Sequence, residues 1–269
     1  MERRLRGTVI AAVLILGLTS AGSVSQASGP AAAPAAPSGG FTYNGDTGPG
    51  FWADLDPANA ACRVGISQSP INIKHVKIDK NLRPLKLALE ATPISLINNG
   101  HAIEEEIESP NTLTLNGDVY TSAQFHFHTL SEHAIGGQRG VMELHAVFKN
   151  PAGKTAVVGT LFRIGHRNAF LHRLMSAGLP KHSGDKVTSE VEINLADGLT
   201  DTSEYYTYSG SLTTPPCTEA VTWFVLKRQA QLSAAQFKAF EDILGNDFRP
   251  LQSVNGRVVH ATADRGKGH

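Results

Sequence analysis

Three histidines in two short segments are the residues of this sequence best suited to chemistry. In the run Gln-Phe-His-Phe-His that ends at His128, strand geometry places His126 and His128 on one side and the two phenylalanines on the other. A second run, Met-Glu-Leu-His, ends at His145 and places that histidine on the same strand face as Glu143. If the two strands pair, the three imidazoles converge on one point.

Zinc suits such a site, because neutral imidazole is a good ligand and three protein ligands leave the fourth tetrahedral position open for catalysis. Gln124 and Glu143 each lie two residues before a histidine on the same face. They can accept the ring N–H that does not face the metal and so orient the imidazole. The pattern therefore predicts a catalytic Zn²⁺ site with His126, His128 and His145 as ligands. The alternative that His-x-His is only a polar strand face stays open at this point.

Strands must position these histidines, and period-two alternation is the commonest pattern along the chain. Residues rich in Val, Ile, Phe and Thr predict strands at 121–129, 141–148, 156–164, 187–195 and 220–228, with shorter candidates at 94–98, 101–108 and 112–115. Helix signals are few, at 168–177 and at 234–244 after the cap residue Ser233. We expect a single, predominantly β domain with short peripheral helices.

The N-terminal 40 residues differ in composition from the rest. Arginines precede a short apolar run, and small residues follow it up to residue 27, which is typical of a signal peptide at 1–27. The run is about half the length of a membrane-spanning helix, so we expect no membrane anchor after cleavage. Ala, Pro and Gly predict a linker at 28–40 and a folded domain at 41–269. Export would place the protein in a periplasm or outside the cell.

The charge balance limits the class of partner. Because the formal net charge is zero, the sequence lacks the basic excess that nucleic-acid binding requires. A small neutral or weakly charged substrate fits better. The oligomeric state, monomer or dimer, is not indicated.

The two cysteines of the chain also bear on the compartment. An even number of cysteines in an exported protein leaves no thiol unpaired, so Cys62 and Cys217 are predicted to form a disulfide. The alternative of two buried free thiols stays open.

Further short motifs surround the histidine segments in order along the chain: Tyr43 with Gly48-Pro49 and Trp52, Gln68-Ser69-Pro70-Ile71-Asn72-Ile73, Asn98-Asn99-Gly100-His101, Ser131-Glu132-His133, Gly210-Ser211-Leu212-Thr213-Thr214-Pro215-Pro216 and Val221-Thr222-Trp223. With these motifs, residues 41 to about 260 resemble the alpha-class carbonic anhydrases, most closely the exported bacterial forms. The resemblance implies a single domain built on a large, mostly antiparallel central sheet.

The resemblance also implies an activity, the reversible hydration of carbon dioxide to bicarbonate and a proton by zinc-bound hydroxide. Thr213 matches the family's residue that accepts the hydroxide's hydrogen and donates its own to Glu132. Carbon dioxide has no charge to bind, and the family holds it against an apolar wall. The positions that match this substrate pocket are Val147, Val157, Leu212, Thr214, Val221 and Trp223.

Proton transfer is the last function that the resemblance assigns to residues. His101 matches the family's proton shuttle, while Tyr43 and Asn99 match residues that order the connecting waters. The sequence departs from the family at Glu104, which begins a run of three glutamates where a neutral amide is common. This acidic run can perturb both the water network and the pKa of the shuttle.

Two other functions fit parts of the pattern. A non-catalytic binding domain of the same fold would usually lack one of the zinc histidines, and all three are present. An exported zinc esterase could use the same nucleophile on esters. Comparing the rates of carbon dioxide hydration and ester hydrolysis would separate these alternatives.

Overall fold

The computed structural model describes residues 40–107 and 111–264. The predicted signal peptide lies outside these ranges, as does the predicted linker except for Gly40. Strands dominate and the helices are short, which confirms the predicted fold class. No helix in the described ranges is long and apolar enough to cross a membrane.

Sixteen strands occur among the described residues. In chain order they are β1 Asn72–Ile73, β2 Lys77–Ile78, β3 Lys86–Ala88, β4 Ala91–Asn98, β5 Ile103–Glu106, β6 Thr112–Leu115, β7 Asp118–His128, β8 Ala134–Ile135, β9 Gln138–Arg139, β10 Met142–Lys149, β11 Thr155–Ile164, β12 Lys186–Asn194, β13 Tyr205–Ser211, β14 Glu219–Leu226, β15 Ala230–Leu232 and β16 His260–Ala261. The six strands of eight or more residues agree with the predicted ones to within three residues at each end, whereas the seven-residue strand β13 was not predicted.

Most strands form one large sheet, whose main path has the order β12-β4-β5-β7-β10-β11-β14-β13-β16-β2. Strand β6 pairs with β7 and β3, and β15 pairs with β11. Neighbours are antiparallel except for the pairs β11–β14, β11–β15 and β16–β2. Strands β1, β8 and β9 form a small second sheet. The two long strands that carry the histidines, β7 and β10, are therefore adjacent inside the large sheet.

The helices lie in the loops between strands. The α-helices are α1 Trp52–Leu55, α2 Ala61–Val64, α3 Ala169–Ala177 and α4 Ala234–Leu244, and 3₁₀ turns occur at Gly45–Thr47, Pro57–Asn59 and Leu195–Gly198. The side chain of Asn168 caps α3 by accepting from the backbone N–H of Leu171. Ser233 and Gln236 form a capping box at the start of α4. Helix α4 begins where its cap residue predicts, and α3 begins one residue after its predicted start because Asn168 is its cap.

The two faces of the large sheet bury different apolar clusters. Phe125 and Phe127 belong to a cluster that includes Phe170 of α3 and Phe240 of α4, so both longer helices pack on this face. The opposite face carries the histidines and a second cluster that includes Trp223. This division follows from the strand period of two.

The strand predicted at 101–108 is shorter in the structure, where β5 begins at Ile103. The cause is the side chain of Asn99, whose Oδ1 accepts the backbone N–H groups of His101 and Ala102 at 2.9 and 2.8 Å. These bonds hold the chain in a turn for two more residues. His101 therefore lies in the β4–β5 turn and not in a strand.

The predicted disulfide is present. Cys62 of α2 is bonded to Cys217, with a Cα–Cα distance of 5.0 Å. Cys217 follows the loop that contains Thr213 and Thr214, and its N–H donates to the carbonyl of Thr214 at 2.8 Å. The bond thus joins the N-terminal helices to this loop.

Candidate metal centre and active site

The pairing of β7 with β10 brings the three histidines together. In the register of this pair, His145 lies opposite His126, and Glu143 lies opposite His128. Because partners in an antiparallel pair point to the same face, the imidazoles of His126, His128 and His145 converge.

The three imidazoles form a compact triangle. Their ring centroids are 4.9 Å apart for His126–His128, 5.2 Å for His126–His145 and 4.8 Å for His128–His145. One nitrogen from each ring lies within 4.8 Å of the other two. His128 and His145 are buried, with 0% and 1% of their surface exposed, and His126 is half-buried.

Each ring also has a neighbour on its outer side. Nδ1 of His126 lies 2.8 Å from Oε1 of Gln124, and Nδ1 of His128 lies 2.7 Å from the carbonyl oxygen of Asp247. Nε2 of His145 lies 3.1 Å from Oε1 of Glu143, although the two atoms are not aligned for a full hydrogen bond. These contacts leave Nε2 of the first two rings and Nδ1 of the third directed to the centre.

A glycine makes room for the carboxylate behind the third histidine. Gly159 lies opposite His145 in the β10–β11 pair, and a Cβ atom at this position would come within 2.8 Å of Oε1 of Glu143. Oε1 and Oε2 of Glu143 also contact Nδ1 and the backbone N–H of His133, each at 2.8 Å. The carboxylate is thus held between two imidazoles.

The electrostatic environment differs among the three rings. Burial lowers the pKa of His126 well below its usual range, and its histidine neighbours lower it further. Burial likewise lowers the pKa of His145. At His128 the effect of burial is outweighed by the carboxylates of Glu132 and Asp247, which raise its pKa to about 10. Burial thus favours the neutral, metal-binding form of His126 and His145, whereas the two carboxylates favour a proton on His128 that a metal ion would displace.

The donors fit a zinc ion. Nε2 of His128 is buried without a hydrogen-bond partner among the described residues, which is costly unless a ligand satisfies it. Three imidazole nitrogens in a triangle are a typical donor set for catalytic zinc. His133, Glu143 and His145 also lie close enough together to hold a metal, but Glu143 and Tyr208 already engage both ring nitrogens of His133. The triangle of three histidines is therefore the candidate metal centre.

A buried carboxylate lies beside the triangle. Oε1 of Glu132 accepts the backbone N–H of Arg249 at 2.8 Å. Oε2 lies 3.6 Å from Nε2 of His128 and 3.9 Å from Nδ1 of His145, and it has no hydrogen-bond partner in the described ranges. Thr213 is also buried, and within those ranges no hydrogen bond joins it to Glu132. This carboxylate oxygen is thus available to accept a proton or hydrogen bond from a group at the centre.

The residues expected to line a substrate pocket lie on the same face as the histidines. Four of them belong to one buried cluster, and Leu212 packs against it; the four are Val147, Val157, Val221 and Trp223. The Trp223 ring lies 4.9 Å from the His145 ring, and its Nε1 donates to the carbonyl of Ser211 at 2.9 Å. Thr214 is half-buried. The wall beside the candidate centre is therefore mostly apolar.

His101 lies apart from the triangle, in the β4–β5 turn. Its ring stacks on Phe41 with 3.7 Å between centroids and 10° between planes, and burial lowers its pKa. Nδ2 of Asn99 lies 3.4 Å from Oε2 of Glu104, and the pKa of Glu104 is raised by burial and by Glu106. The side-chain amide of Asn99 thus bonds both to backbone groups of the turn and to the first glutamate of the acidic run.

Tyr43 connects these two regions. Its ring packs edge-on against Phe41 and Trp52, at 5.9 and 5.8 Å, and lies 6.5 Å from the His128 ring. The hydroxyl is buried and has no hydrogen-bond partner among the described residues. Burial raises the pKa of Tyr43, and the carboxylate of Glu132 adds to the effect. The hydroxyl is therefore neutral and free to bond a water molecule.

Comparison with known proteins identifies the family. The family model described as eukaryotic-type carbonic anhydrase matches residues 47–263, a range that contains the three histidines, Glu132 and Thr213. The chain belongs to the alpha carbonic anhydrase family. It is 38% identical over 224 residues to a carbonic anhydrase of Klebsiella pneumoniae, covering 81% of this chain and 89% of that protein.

Solved structures agree with this assignment. The alpha carbonic anhydrase of Photobacterium profundum is similar with a TM-score of 0.78 and 37% identity, over 82% of this chain and 100% of that one. An alpha carbonic anhydrase of Thermovibrio ammonificans, solved in complex with the inhibitor sulfanilamide, has a TM-score of 0.79 and 33% identity, over 82% and 98%. The chain is thus a carbonic anhydrase, and carbon dioxide hydration is its general kind of reaction.

Three residues in the neighbourhood of this carbonic anhydrase site were not identified from the sequence. Asp247 and Arg249 contact the site through a backbone carbonyl and a backbone N–H, and the carboxylate of Asp247 also lies 3.6 Å from His128; both residues are more than 100 positions from the residues they contact. Phe41 stacks on His101 from 60 residues away along the chain. Its type and local spacing contain no signal for that contact.

Proposed function

We propose that this chain hydrates carbon dioxide reversibly to bicarbonate and a proton, with a zinc ion held by His126, His128 and His145. The observation that carries the proposal is the triangle of imidazole nitrogens within 4.8 Å of one another. When bound, zinc acts as a Lewis acid that makes a water molecule acidic enough to react near neutral pH, and carbonic anhydrase is the standard example of this effect.

The outer contacts of the imidazoles give each ring a defined tautomer. Gln124 and the carbonyl of Asp247 accept the Nδ1–H of His126 and His128, so these rings present Nε2. Glu143 faces Nε2 of His145, so this ring presents Nδ1. Fixed rings bind a metal more tightly, because less conformational freedom is lost on binding.

Glu132 and Thr213 are proposed to orient the reacting water. The backbone N–H of Arg249 holds one carboxylate oxygen of Glu132, which keeps the other beside the imidazoles. That oxygen would accept the hydroxyl hydrogen of Thr213, which forces the threonine oxygen to accept a hydrogen from the water. One lone pair of the water oxygen is then directed to the substrate.

The apolar wall suits carbon dioxide. Val147, Val157 and Val221 are buried on the histidine face together with Trp223, and Leu212 and Thr214 are proposed to complete the pocket. Carbon dioxide is small and uncharged, so an apolar wall can hold it without a cation. Bicarbonate is charged and is bound less well by the same wall, which favours its release.

The proton is proposed to leave through His101, by way of water molecules ordered by Tyr43 and Asn99. Imidazole is suited to this step because its pKa lies close to neutral. Stacking on Phe41 defines where the His101 ring lies.

The decisive experiment combines metal analysis with carbon dioxide hydration on one purified sample. We expect about one zinc per chain, loss of hydration after chelation, and recovery when zinc alone is restored. Ester hydrolysis measured on the same sample separates the two enzyme functions, because a zinc esterase would hydrolyse esters faster than it hydrates carbon dioxide. Hydration that persists in metal-free protein would overturn the proposal.

We also propose that the protein is exported to a periplasm or to the outside of the cell, with residues 1–27 removed and 41–269 forming the catalytic domain. The disulfide between Cys62 and Cys217 supports an oxidising compartment. The expected result is a mature N-terminus at residue 28 in exported material, measured by N-terminal sequencing. An intact Met1 in exported protein would contradict it.

A further inference from the structure

A cavity with a volume of about 910 Å³ lies away from the histidine triangle. Basic residues from two stretches of the chain line it: Arg163, His166 and Arg167 from the first and Arg228 from the second. We call this cavity the arginine groove. None of these residues has a role in carbon dioxide hydration as proposed above.

The sheet and α3 together build the arginine groove. Arg163 lies at the end of β11, opposite Gln231 of β15, and Arg228 lies in the connection between β14 and β15. Since β11 runs parallel to both strands, these chain segments meet at one edge of the sheet. Arg167 directly precedes Asn168, the cap of α3.

Hydrogen bonds hold the backbone of the groove in place. Oε1 of Gln231 accepts the backbone N–H of His166 at 2.9 Å, and its carbonyl accepts from Nδ2 of Asn168 at 3.0 Å. The hydroxyl of Thr200 donates to the carbonyl of Arg228 at 2.7 Å. The arginines therefore extend from a backbone that is already ordered, which reduces the entropic cost of binding a ligand.

The arginine side chains have no protein partners. In the part of the chain that the structure describes, no hydrogen bond, ion pair or cation–π contact involves the guanidinium of Arg163, Arg167 or Arg228. Exposed cations elsewhere do pair, as in Arg63–Asp54 and Lys238–Asp242. The three guanidinium groups of the groove thus have no ion-pair partner among the described residues.

Two acidic residues also line the groove and limit its preference for anions. Asp197 and Asp201 are both exposed, and a carboxylate oxygen of Asp201 accepts the backbone N–H of Ser203 at 2.9 Å. Three guanidinium groups exceed these two carboxylates in charge. The net positive charge of the groove therefore favours an anionic ligand group placed near the arginines.

We propose that the arginine groove binds an organic molecule through a phosphate or sulfate ester group. Guanidinium forms paired, charge-assisted hydrogen bonds with the oxygens of such groups. The N-terminus of α3 lies at the same place, and the positive end of its dipole favours an anion. The groove, with about 910 Å³, has room for more than an inorganic oxyanion, so the rest of the molecule occupies the remaining space.

Nuclear magnetic resonance on the zinc-loaded protein tests the proposal. The probes are glucose 6-phosphate, glucose 6-sulfate and glucose, each titrated at constant ionic strength set with sodium chloride. We expect the two esters to shift the backbone amide signals of residues 163–169 and 228–231, and glucose to leave them unchanged. The ester with the lower half-saturating concentration identifies the preferred group. Shifts confined to the histidine strands would place the anion at the metal centre and overturn the proposal.

Variants test which arginines contribute to the affinity for the ester. Replacing Arg163 and Arg167 together by Gln should raise the half-saturating ester concentration at least about tenfold, because charged hydrogen bonds are lost. Replacing Arg83 and Arg173 together by Gln is the matched control, since it removes the same two charges from exposed positions outside the groove. Thermal unfolding checks that each variant is folded. Equal affinities in the double variant and the control would overturn the proposal, as would amide shifts of the same size with sodium chloride alone.

Discussion

Each imidazole of the candidate centre uses one nitrogen for a contact with the protein and leaves the other to a metal. Gln124 was identifiable from the sequence, because residues two apart on a strand share a face. The carbonyl of Asp247 was not, because a backbone acceptor 119 residues from His128 leaves no side-chain signal. Sequence patterns therefore predict the strand-borne part of the site and miss the contacts made by distant loops.

Removing a ligand should affect metal binding more than removing a residue that orients it. We expect His145→Ala to lose stoichiometric zinc and hydration activity, because two imidazoles hold zinc poorly. Gln124→Ala should retain zinc but bind it about 10- to 100-fold more weakly. Metal analysis after dialysis and competition with a chromophoric chelator measure both effects.

An exposed histidine provides the control for this series. His172 lies on α3 and is exposed, so His172→Ala should retain full zinc content and activity. If His145→Ala retained stoichiometric zinc and most of its activity, the assignment of the metal centre would be wrong.

His101 should affect turnover and not the attack on carbon dioxide. We expect His101→Ala to lower kcat at least about tenfold and to leave kcat/KM nearly unchanged, because the proton leaves after carbon dioxide has reacted. Added imidazole buffer should restore kcat by accepting the proton directly. Stopped-flow hydration assays over a range of buffer concentrations measure these quantities.

Two results would contradict this role of His101. An unchanged kcat would mean that the ring only stacks on Phe41. An equal fall in kcat and kcat/KM, with no response to imidazole, would mean that the substitution had disturbed the metal centre. Phe41→Leu is a second test, since it removes the stacking partner but keeps the imidazole.

At the scale of strands and helices, the sequence was most informative where polar and apolar residues alternate strictly. The strand predicted at 112–115 has the same bounds as β6, and Ser233 begins α4 through the expected cap. The β4–β5 region was harder, because Asn99 extends the turn by bonding two N–H groups. The alternation of polar and apolar residues alone does not show where a side chain accepts the backbone N–H groups that a strand would use.

Strand β5 also contains a buried acid that the sequence pattern did not explain. Glu105 is fully buried, and its Oε1 accepts the backbone N–H of Ser95 at 2.8 Å. Its Oε2 has no partner among the described residues. Burial raises the pKa of Glu105 from 4.5 to about 7, and Glu106 adds to the effect against the opposing bond from Ser95. The acid is therefore protonated in the folded protein below neutral pH.

This raised pKa predicts a loss of stability with increasing pH. Between about pH 4.5 and pH 7 the folded state keeps a proton that the unfolded state releases, so stability falls as pH rises through this window. Glu105→Gln stays neutral at every pH. The variant should therefore gain stability relative to the wild type, by up to about 3 kcal/mol, between pH 4.5 and pH 8.

Urea unfolding of both proteins at several pH values measures this difference, and the titration of all other groups cancels in it. Glu192→Gln is the control, because it makes the same replacement at an exposed position of β12. If the free energies of unfolding of the wild type and Glu105→Gln changed in parallel with pH, Glu105 would not titrate in this range.

At the scale of the whole molecule, the sequence did not determine how distant segments meet. The parallel pairing of β11 with β14 joins strands that are more than 50 residues apart, and period-two alternation contains no information on strand order. Arg249 also joins segments that are far apart in the chain, near the N-terminal helices. Its buried guanidinium donates to Gln68, to the carbonyl of Ser69 and to the carbonyl of Cys62, and burial lowers its pKa to about 10.

The disulfide acts at the same scale, because it closes a loop of 155 residues. In the chain-entropy account such a bond destabilises the unfolded chain by up to about 5 kcal/mol. We expect replacement of Cys62 and Cys217 by Ser to lower the free energy of unfolding by about 2 to 5 kcal/mol. Reduction of the wild type should have an effect of similar size.

Catalysis should be less affected than stability. Cys217 is next to the loop of Thr213 and Thr214, but its N–H and carbonyl keep their bonds to Thr214 and Gln68 without the sulfur. At a temperature where the double Ser variant is fully folded, kcat/KM should therefore remain within about threefold of the wild type, a change of less than about 1 kcal/mol. Urea unfolding with and without reductant, and hydration assays on the same samples, measure both quantities. The double variant should not respond to reductant, and a reduced wild type as stable as the oxidised protein would contradict the prediction.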